Sequence, residues 1–140
     1  VDKALENLLS CGIVGVASGR AEFGPRALGN RSLLADPRGQ EMKDKVNGIK
    51  QRQEFRPFAP AVLEEHAHKY FEPNVVTPYM QHVVKGTKPT LKDLPAIVHE
   101  DGTCRVQTIN KFDNISSPGK GCDGEYHQKC NPDTVTEIKW

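Results

Sequence analysis

Six cationic side chains fall in two short stretches of this sequence: Arg20, Arg26 and Arg31 within residues 19–32, and Lys50, Arg52 and Arg56 within residues 50–60. Guanidinium groups present paired donors that match phosphate oxygens, and a lysine adds a mobile point charge, so the combination suits a phosphate or phosphoanhydride substrate. Gly19, Gly24 and Gly29 interleave with the first three cations and would let backbone N–H groups approach the same anion. On residue types alone, such clusters are most often a solvated face paired with nearby acids. Arg20 and Arg38 fit that description, with Glu22 and Asp36 as partners. Two metal readings are weaker still. His66, His68 and Glu65 would lie on one helix where at most two can face one way, and Cys122, His127 and Cys130 are too loosely spaced for the closed tetrad of a structural zinc site. No metal site is expected.

The elements that must carry these residues are legible in outline. Val1, Ala4, Leu5, Leu8 and Leu9 form one stripe of an amphipathic helix that Gly12 is placed to end. Residues 12–17 are short, apolar and β-branched, which predicts a buried strand, and Ser32 to Ala35 predict another. Between them, residues 19–32 show no hydrophobic period and read as a long functional loop. After Asp36-Pro37, the spacing of Met42, Val46 and Ile49 predicts a helix with a basic outer face. Pro57 and Pro60 break the next stretch into a second cation-bearing loop. Ala61 to Phe71 predict a third helix, with Leu63, Ala67, Tyr70 and Phe71 inward and Pro73 as its stop. Strands are expected at Tyr79–Val84, Ala96–His99 and Cys104–Ile109, with Asp101-Gly102 turning between the last two. From residue 111 the pattern dissolves into an irregular tail. The fold class is therefore α/β in the α+β sense, a twisted open mixed sheet with helices.

Bulk properties fit one core. The chain has 140 residues, 36% hydrophobic and 26% charged, with 12 Gly and 10 Pro, which points to a loop-rich globular domain. A net charge of +1 gives no general argument for a polyanion partner. The charge is unevenly placed, however: residues 19–56 hold nine Lys or Arg against five Asp or Glu, and six of the seven arginines. The four cysteines form no CxxC pair and are expected as reduced thiols. No signal peptide and no membrane-length apolar run are visible, so a soluble cytoplasmic protein is expected. A helical pattern that begins at Val1 suggests a fragment.

Four strings carry a resemblance: residues 19–32, 34–38, 49–60 and 101–108, in that order. Together they resemble the C-terminal lobe of the nodulation-type O-carbamoyltransferases, over roughly residues 1–110. The resemblance implies the fold of the threonylcarbamoyl-adenylate synthases, in incomplete form, and the use of carbamoyl phosphate and ATP, with magnesium as a further candidate, to make a carbamoyl adenylate. It implies that Arg26, Arg31, Lys50, Arg52, Arg56 and Arg105 line the anion site, with Lys50 and Arg52 as a Lys-x-Arg pair, and that Gly24, Glu22, Asn30 and Ser32 support them. Glu22 would orient an arginine or help hold magnesium. Their work would be electrostatic, with no protein nucleophile.

The resemblance breaks after Asn110. The Asn-Thr-Ser-Phe-Asn string expected there is absent, residues 111–140 match nothing in the family, and the lobe that would carry a histidine-bound iron and perform the transfer is missing. The leading expectation is a truncated lobe that binds carbamoyl phosphate or ATP and does not complete transfer alone. The competing one is a non-catalytic module whose exposed sheet edge pairs with a second copy or another partner, such as the separate N-terminal lobe. RNA binding through the basic loops is a third, for which a strongly salt-dependent affinity would be diagnostic; neither nucleic acid nor a membrane is the expected partner.

Overall fold

Leu8 turns inward from the first helix while Leu9 stands 72% exposed, so the apolar stripe is narrower than the sequence suggests. The computed structural model describes residues 2–17 and 21–110. Helix α1 (Asp2–Cys11) ends at Gly12, whose φ of +74° suits glycine, with the Gly12 N–H donating to the Leu8 carbonyl at 2.9 Å. Strand β1 (Ile13–Ala17) follows and pairs antiparallel with β2 (Arg31–Ala35), so that Ile13 faces Ala35 and Gly15 faces Leu33. Ile13 and Leu33 pack on the core, but β1 as a whole is half-buried rather than the buried strand expected. Among the described residues its sheet is two-stranded, which leaves it without a second neighbour there.

Helix α2 (Gln40–Lys50) buries Met42 and Val46, while Ile49, expected on the same face, is 57% exposed. The helix closes at Gln51 in the left-handed region, φ 50°, and there turns the chain away from the core. Residues 61–63 correct the sequence reading. They form strand β3 (Ala61–Leu63), and only Glu64–Tyr70 are helical, as α3. The reason is pairing: β3 lies parallel to β7 (Gln107–Ile109), the last described strand, and the proline-broken stretch before it enters that pairing already extended. Strand β4 (Phe71–Glu72) then pairs with β5 (Val83–Gly86), which pairs in turn with β6 (Thr103–Arg105), all antiparallel.

Two further expectations fail. Residues 79–82 lie in a turn in which Met80 is buried at φ 57°, so the strand begins at Val83. Ala96–Ile97 belong to a 3-10 turn (Pro95–Ile97) after helix α4 (Lys88–Asp93), where a strand was expected. Ala96 and Ile97 are apolar because they are core residues, at 0% and 1% exposure, and a short apolar run does not by itself distinguish a strand from a buried turn. The strand expected at Cys104–Ile109 is divided at Val106, where the chain leaves the β4–β5–β6 sheet and joins β3.

Among the described residues the result is an α+β fold with four helices and three small open sheets, mixed in direction. One core joins them, built around Val46, Phe58, Val62, Phe71, Val84, Ala96, Ile97, Cys104 and Val106. Cys104 is a buried free thiol and Cys11 an exposed one. Cys122, Cys130 and the irregular tail expected from residue 111 lie outside the described residues. Among the described residues no helix is long and apolar enough to cross a membrane.

Candidate functional site

The period of two in β5 and β6 places the site. Val84 and Cys104 face each other in the core, at 5% and 0% exposure, so their neighbours Val83 and Arg105, also paired, turn to the opposite side. There they meet the loop that follows α2. Arg52, Arg56 and Arg105 line one cavity of about 530 Å³, with Pro57, Phe58 and Ala59 in its wall and Phe55, Val83, His99, Asp101 and Thr103 completing it. The loop is held at both ends. At its start the Arg52 N–H donates to the Asn47 carbonyl, and at its end the Phe58 N–H donates to the Ala96 carbonyl at 3.0 Å.

Electrostatics mark this cavity as unusual. Arg52 and Arg105 are half-buried, and both guanidinium groups are held below the ordinary arginine range. Desolvation is the larger cause in each; repulsion from Arg56 and Arg105 adds to it at Arg52, and repulsion from Arg26 adds to it at Arg105. Lys50, the last residue of α2, is pushed down to about 8 by burial and by the Arg52 charge. Arg38 pairs with Asp36, and His66 lies 3.8 Å from Glu65; among the described residues no acid is paired with a cavity arginine. Nη2 of Arg52 is buried with no partner there. Clustered like charges with no acid paired to them among the described residues oppose folding, and an anion in the cavity would relieve them.

The loop after α2 and strand β6 therefore meet at this cavity, and no residue of the 19–32 loop is among its lining. Arg52, Arg56 and Arg105 share the cavity, Arg26 lies close enough to act on Arg105, and Lys50 lies beside Arg52. Arg31, Asn30 and Ser32 are not among the lining residues. Arg31 heads β2 with Nη1 donating to the Asn30 carbonyl at 2.8 Å, while Asn30 and Ser32 are buried. Arg20 and Gly19 lie outside the described residues. Gly24, φ +131°, is exposed in the same loop, as is Phe23 beside it.

Glu22 works differently from expectation. Its carboxylate accepts the backbone N–H of Leu28 at 2.7 Å and that of Arg31 at 3.4 Å, so it folds the 22–31 loop onto itself. Asp36 accepts the Arg38 backbone N–H at 3.0 Å and its guanidinium, which holds the carboxyl below its ordinary value and gives Arg38 the structural role anticipated for it. Among the described residues no three His, Cys, Asp or Glu side chains gather as a metal site, and Cys122, His127 and Cys130 lie outside them.

Of the lining residues sequence reasoning named the three arginines, and it missed the others along with one residue that supports the loop. Asp101 was read only as a turn residue; in fact Oδ1 accepts both the N–H and the hydroxyl of Thr103, at 2.9 and 2.6 Å, which holds its carboxyl below the ordinary range. His99, Thr103 and Phe55 carried no signal of their own. Asn47 did: a polar residue of weak helix preference beside the inward Val46 needs a reason to be there.

Known proteins share this region. Nodulation protein NolO of Bradyrhizobium diazoefficiens is 49% identical over 106 residues, covering 73% of this chain and 19% of that protein. Nodulation protein NolNO of Sinorhizobium fredii is 46% identical over 113 residues, 78% of this chain and 17% of its own length. Nodulation protein U of the same organism is 49% identical over 94 residues, 67% and 17% respectively. The chain thus spans less than a fifth of the length of these relatives. The family described as Carbamoyltransferase C-terminus matches residues 5–117, past Asn110 and across all the loops just described. With most of its length and every cavity arginine inside that match, the chain belongs to the carbamoyltransferase C-terminus family.

Proposed function

We propose that this chain is the carbamoyl phosphate- and ATP-binding part of a carbamoyltransferase, and that its arginines hold phosphate oxygens while a carbamoyl adenylate forms. The observation that carries the reading is the convergence of Arg52, Arg56 and Arg105 on one cavity with no acid paired to any of them among the described residues. Such an arrangement costs stability unless an anion supplies the missing charge. Family membership supports the same chemistry.

In this reading water first releases phosphate from carbamoyl phosphate to leave carbamate, whose oxygen then attacks the α-phosphorus of ATP and expels pyrophosphate; the guanidinium groups hold the two in line and offset negative charge developing on the phosphate oxygens. Phe55 and Val83, exposed at the cavity, offer an apolar surface to the nucleotide base. A magnesium ion carried by the phosphates would find Asp101 as the carboxylate among the lining residues. Glu22 is the poorer candidate, since its oxygens serve backbone N–H groups. In the same reading these residues serve formation of the activated carbamoyl group, and transfer to an acceptor is the work of residues outside them.

Calorimetric titration tests the proposal. ATP and carbamoyl phosphate should each bind saturably, and Arg105→Ala should weaken both by about tenfold or more, the loss expected for a charge-assisted contact. Absence of heat from either ligand at roughly millimolar concentration, the weak end of specific binding, would end this reading.

A further inference from the structure

Two of the three cavity arginines sit on the turn after α2, and that turn hangs from one buried amide. Asn47 is 1% exposed. Its Nδ2 donates to the carbonyls of Glu54 at 2.9 Å and Arg56 at 3.0 Å, while its Oδ1 accepts Nε of Arg52 at 2.5 Å. Its backbone carbonyl accepts the Arg52 N–H at 3.2 Å. The one side chain therefore fixes the turn at three residues.

The bond to Nε has a geometric consequence. A guanidinium is planar, so anchoring Nε restricts how the plane rolls about the end of the side chain. Nη2 is left buried and without a partner among the described residues, on a side chain that lines the cavity. The two carbonyl bonds do the equivalent for Arg56, by fixing the backbone from which it reaches. Helix stability does not explain the asparagine, which is a weak former in a helix interior.

We infer that Asn47 is a positioning residue for the anion cavity, setting the roll of the Arg52 guanidinium and the reach of Arg56 so that both meet one phosphate. This inference rests on the anion-binding reading given above. An amide is the group the place requires. An aspartate could still accept from Nε, but it would lose both donors and neutralise the arginine it orients.

The test is a double-mutant cycle on the full 140-residue chain, read by calorimetric titration with inorganic pyrophosphate, with circular dichroism reporting the folded fraction. Asn47→Ala and Arg52→Ala should each weaken pyrophosphate binding by about tenfold, and the double variant should lose clearly less than the product of the two single losses. A loss equal to that product would overturn the inference while leaving the anion cavity standing. A wild-type chain that ignores pyrophosphate would overturn both.

Should Asn47→Ala unfold the chain, Asn47→Asp and the wild type decide the matter by nitrogen-15 NMR of the arginine side chains. In the wild type, the Arg52 Nε–H should exchange with water distinctly more slowly than that of Arg56. Asn47→Asp should keep that protection yet weaken pyrophosphate binding by about tenfold or more, since the carboxylate competes for the guanidinium. An Arg52 Nε–H that exchanges as fast as that of Arg56, or Asn47→Asp binding with wild-type affinity, would defeat the inference.

Discussion

Thr77 and Thr108 hold each other twice. The Thr77 N–H donates to Oγ1 of Thr108 at 2.7 Å, and the Thr108 N–H donates to the Thr77 carbonyl at 3.1 Å. Both residues are buried, at 0% and 2% exposure. The Thr77 hydroxyl in turn accepts the N–H of Gln81 at 3.0 Å, which winds the 77–82 turn just before Val83 enters the cavity wall. This pair thus ties strand β7 to the approach of the site.

Thr108→Val preserves shape and removes the acceptor, leaving a buried N–H with no partner. The expected loss is about 1–3 kcal/mol, measured by urea denaturation. Thr108→Ser keeps the oxygen and should lose markedly less. A larger loss for Thr108→Ser than for Thr108→Val would assign the effect to packing of the methyl, which only valine keeps.

Arg105 should behave as a residue kept for binding against the interest of folding. Its charge is opposed by burial and by Arg26, so Arg105→Met, which retains the apolar stem, should stabilise the ligand-free chain. Because the group is only partly buried, the gain is small, up to ~0.5 kcal/mol at low salt and less as salt screens it. Arg38→Met is the control, since Arg38 is paired with Asp36 and its loss should give no gain. Thermal melts with and without ATP check both halves: the Arg105→Met variant should melt higher alone and gain less from ATP. A lower melting temperature without ligand would refute the argument.

What could be read from the sequence tracks how local the cause was. Gly12, Met42 and Val46 act through period and chain turning, and α1 and α2 stand where those residues put them. Ala61–Leu63 and Ala96–Ile97 were misassigned because their apolar character serves a distant partner, β7 in one case and the core in the other. The cation cluster was visible as residue types and strings, whereas its closure needed the strand pairing that turns Arg105 beside Val83 toward the loop of Arg52 and Arg56. No spacing in the sequence encodes that meeting. The role of Glu22 was lost for a related reason: a carboxylate near arginines suggests an ion pair, and here it satisfies backbone donors.

Two positions with positive φ should respond in opposite directions. At Gly12, φ +74°, a Cβ would stand 2.5 Å from Cε of Met42, so Gly12→Ala adds both backbone strain and a clash within the core. A loss of about 1–3 kcal/mol is expected, tempered by how far the flexible methionine yields. Gln51 occupies the left-handed cap of α2 with φ 50° and is exposed, so Gln51→Gly removes strain without removing packing. It should gain about 0.5–1 kcal/mol. Denaturant midpoints of the two variants decide the point, and a destabilised Gln51→Gly would mean that the side chain makes a contribution the cap geometry does not reveal.

Lys50 should give the chain a measurable pH dependence. Its ammonium, at about 8 in the folded chain against 10.5 ordinarily, loses its proton earlier when folded than when unfolded. Between those values the unfolded state binds more protons, so this group makes stability rise with pH from about 8 upward. Cys104 acts oppositely. Burial pushes its thiol up to about 12 from 9.0, the folded state then keeps a proton the unfolded state releases, and stability falls with pH across that interval. The two effects oppose each other above 9.0, which leaves the interval from about 8 to 9.0 in which Lys50 acts without that opposition. Lys50→Met should therefore be more stable than the wild type below pH 8 and lose part of that advantage by 9.0, as read from urea midpoints in matched buffers. A bound phosphate would favour the charged lysine, so ATP affinity of the wild type should weaken above about 8 while that of the Lys50→Met variant changes less. Parallel stability curves for the two chains across this interval would mean that Lys50 is not the titrating group.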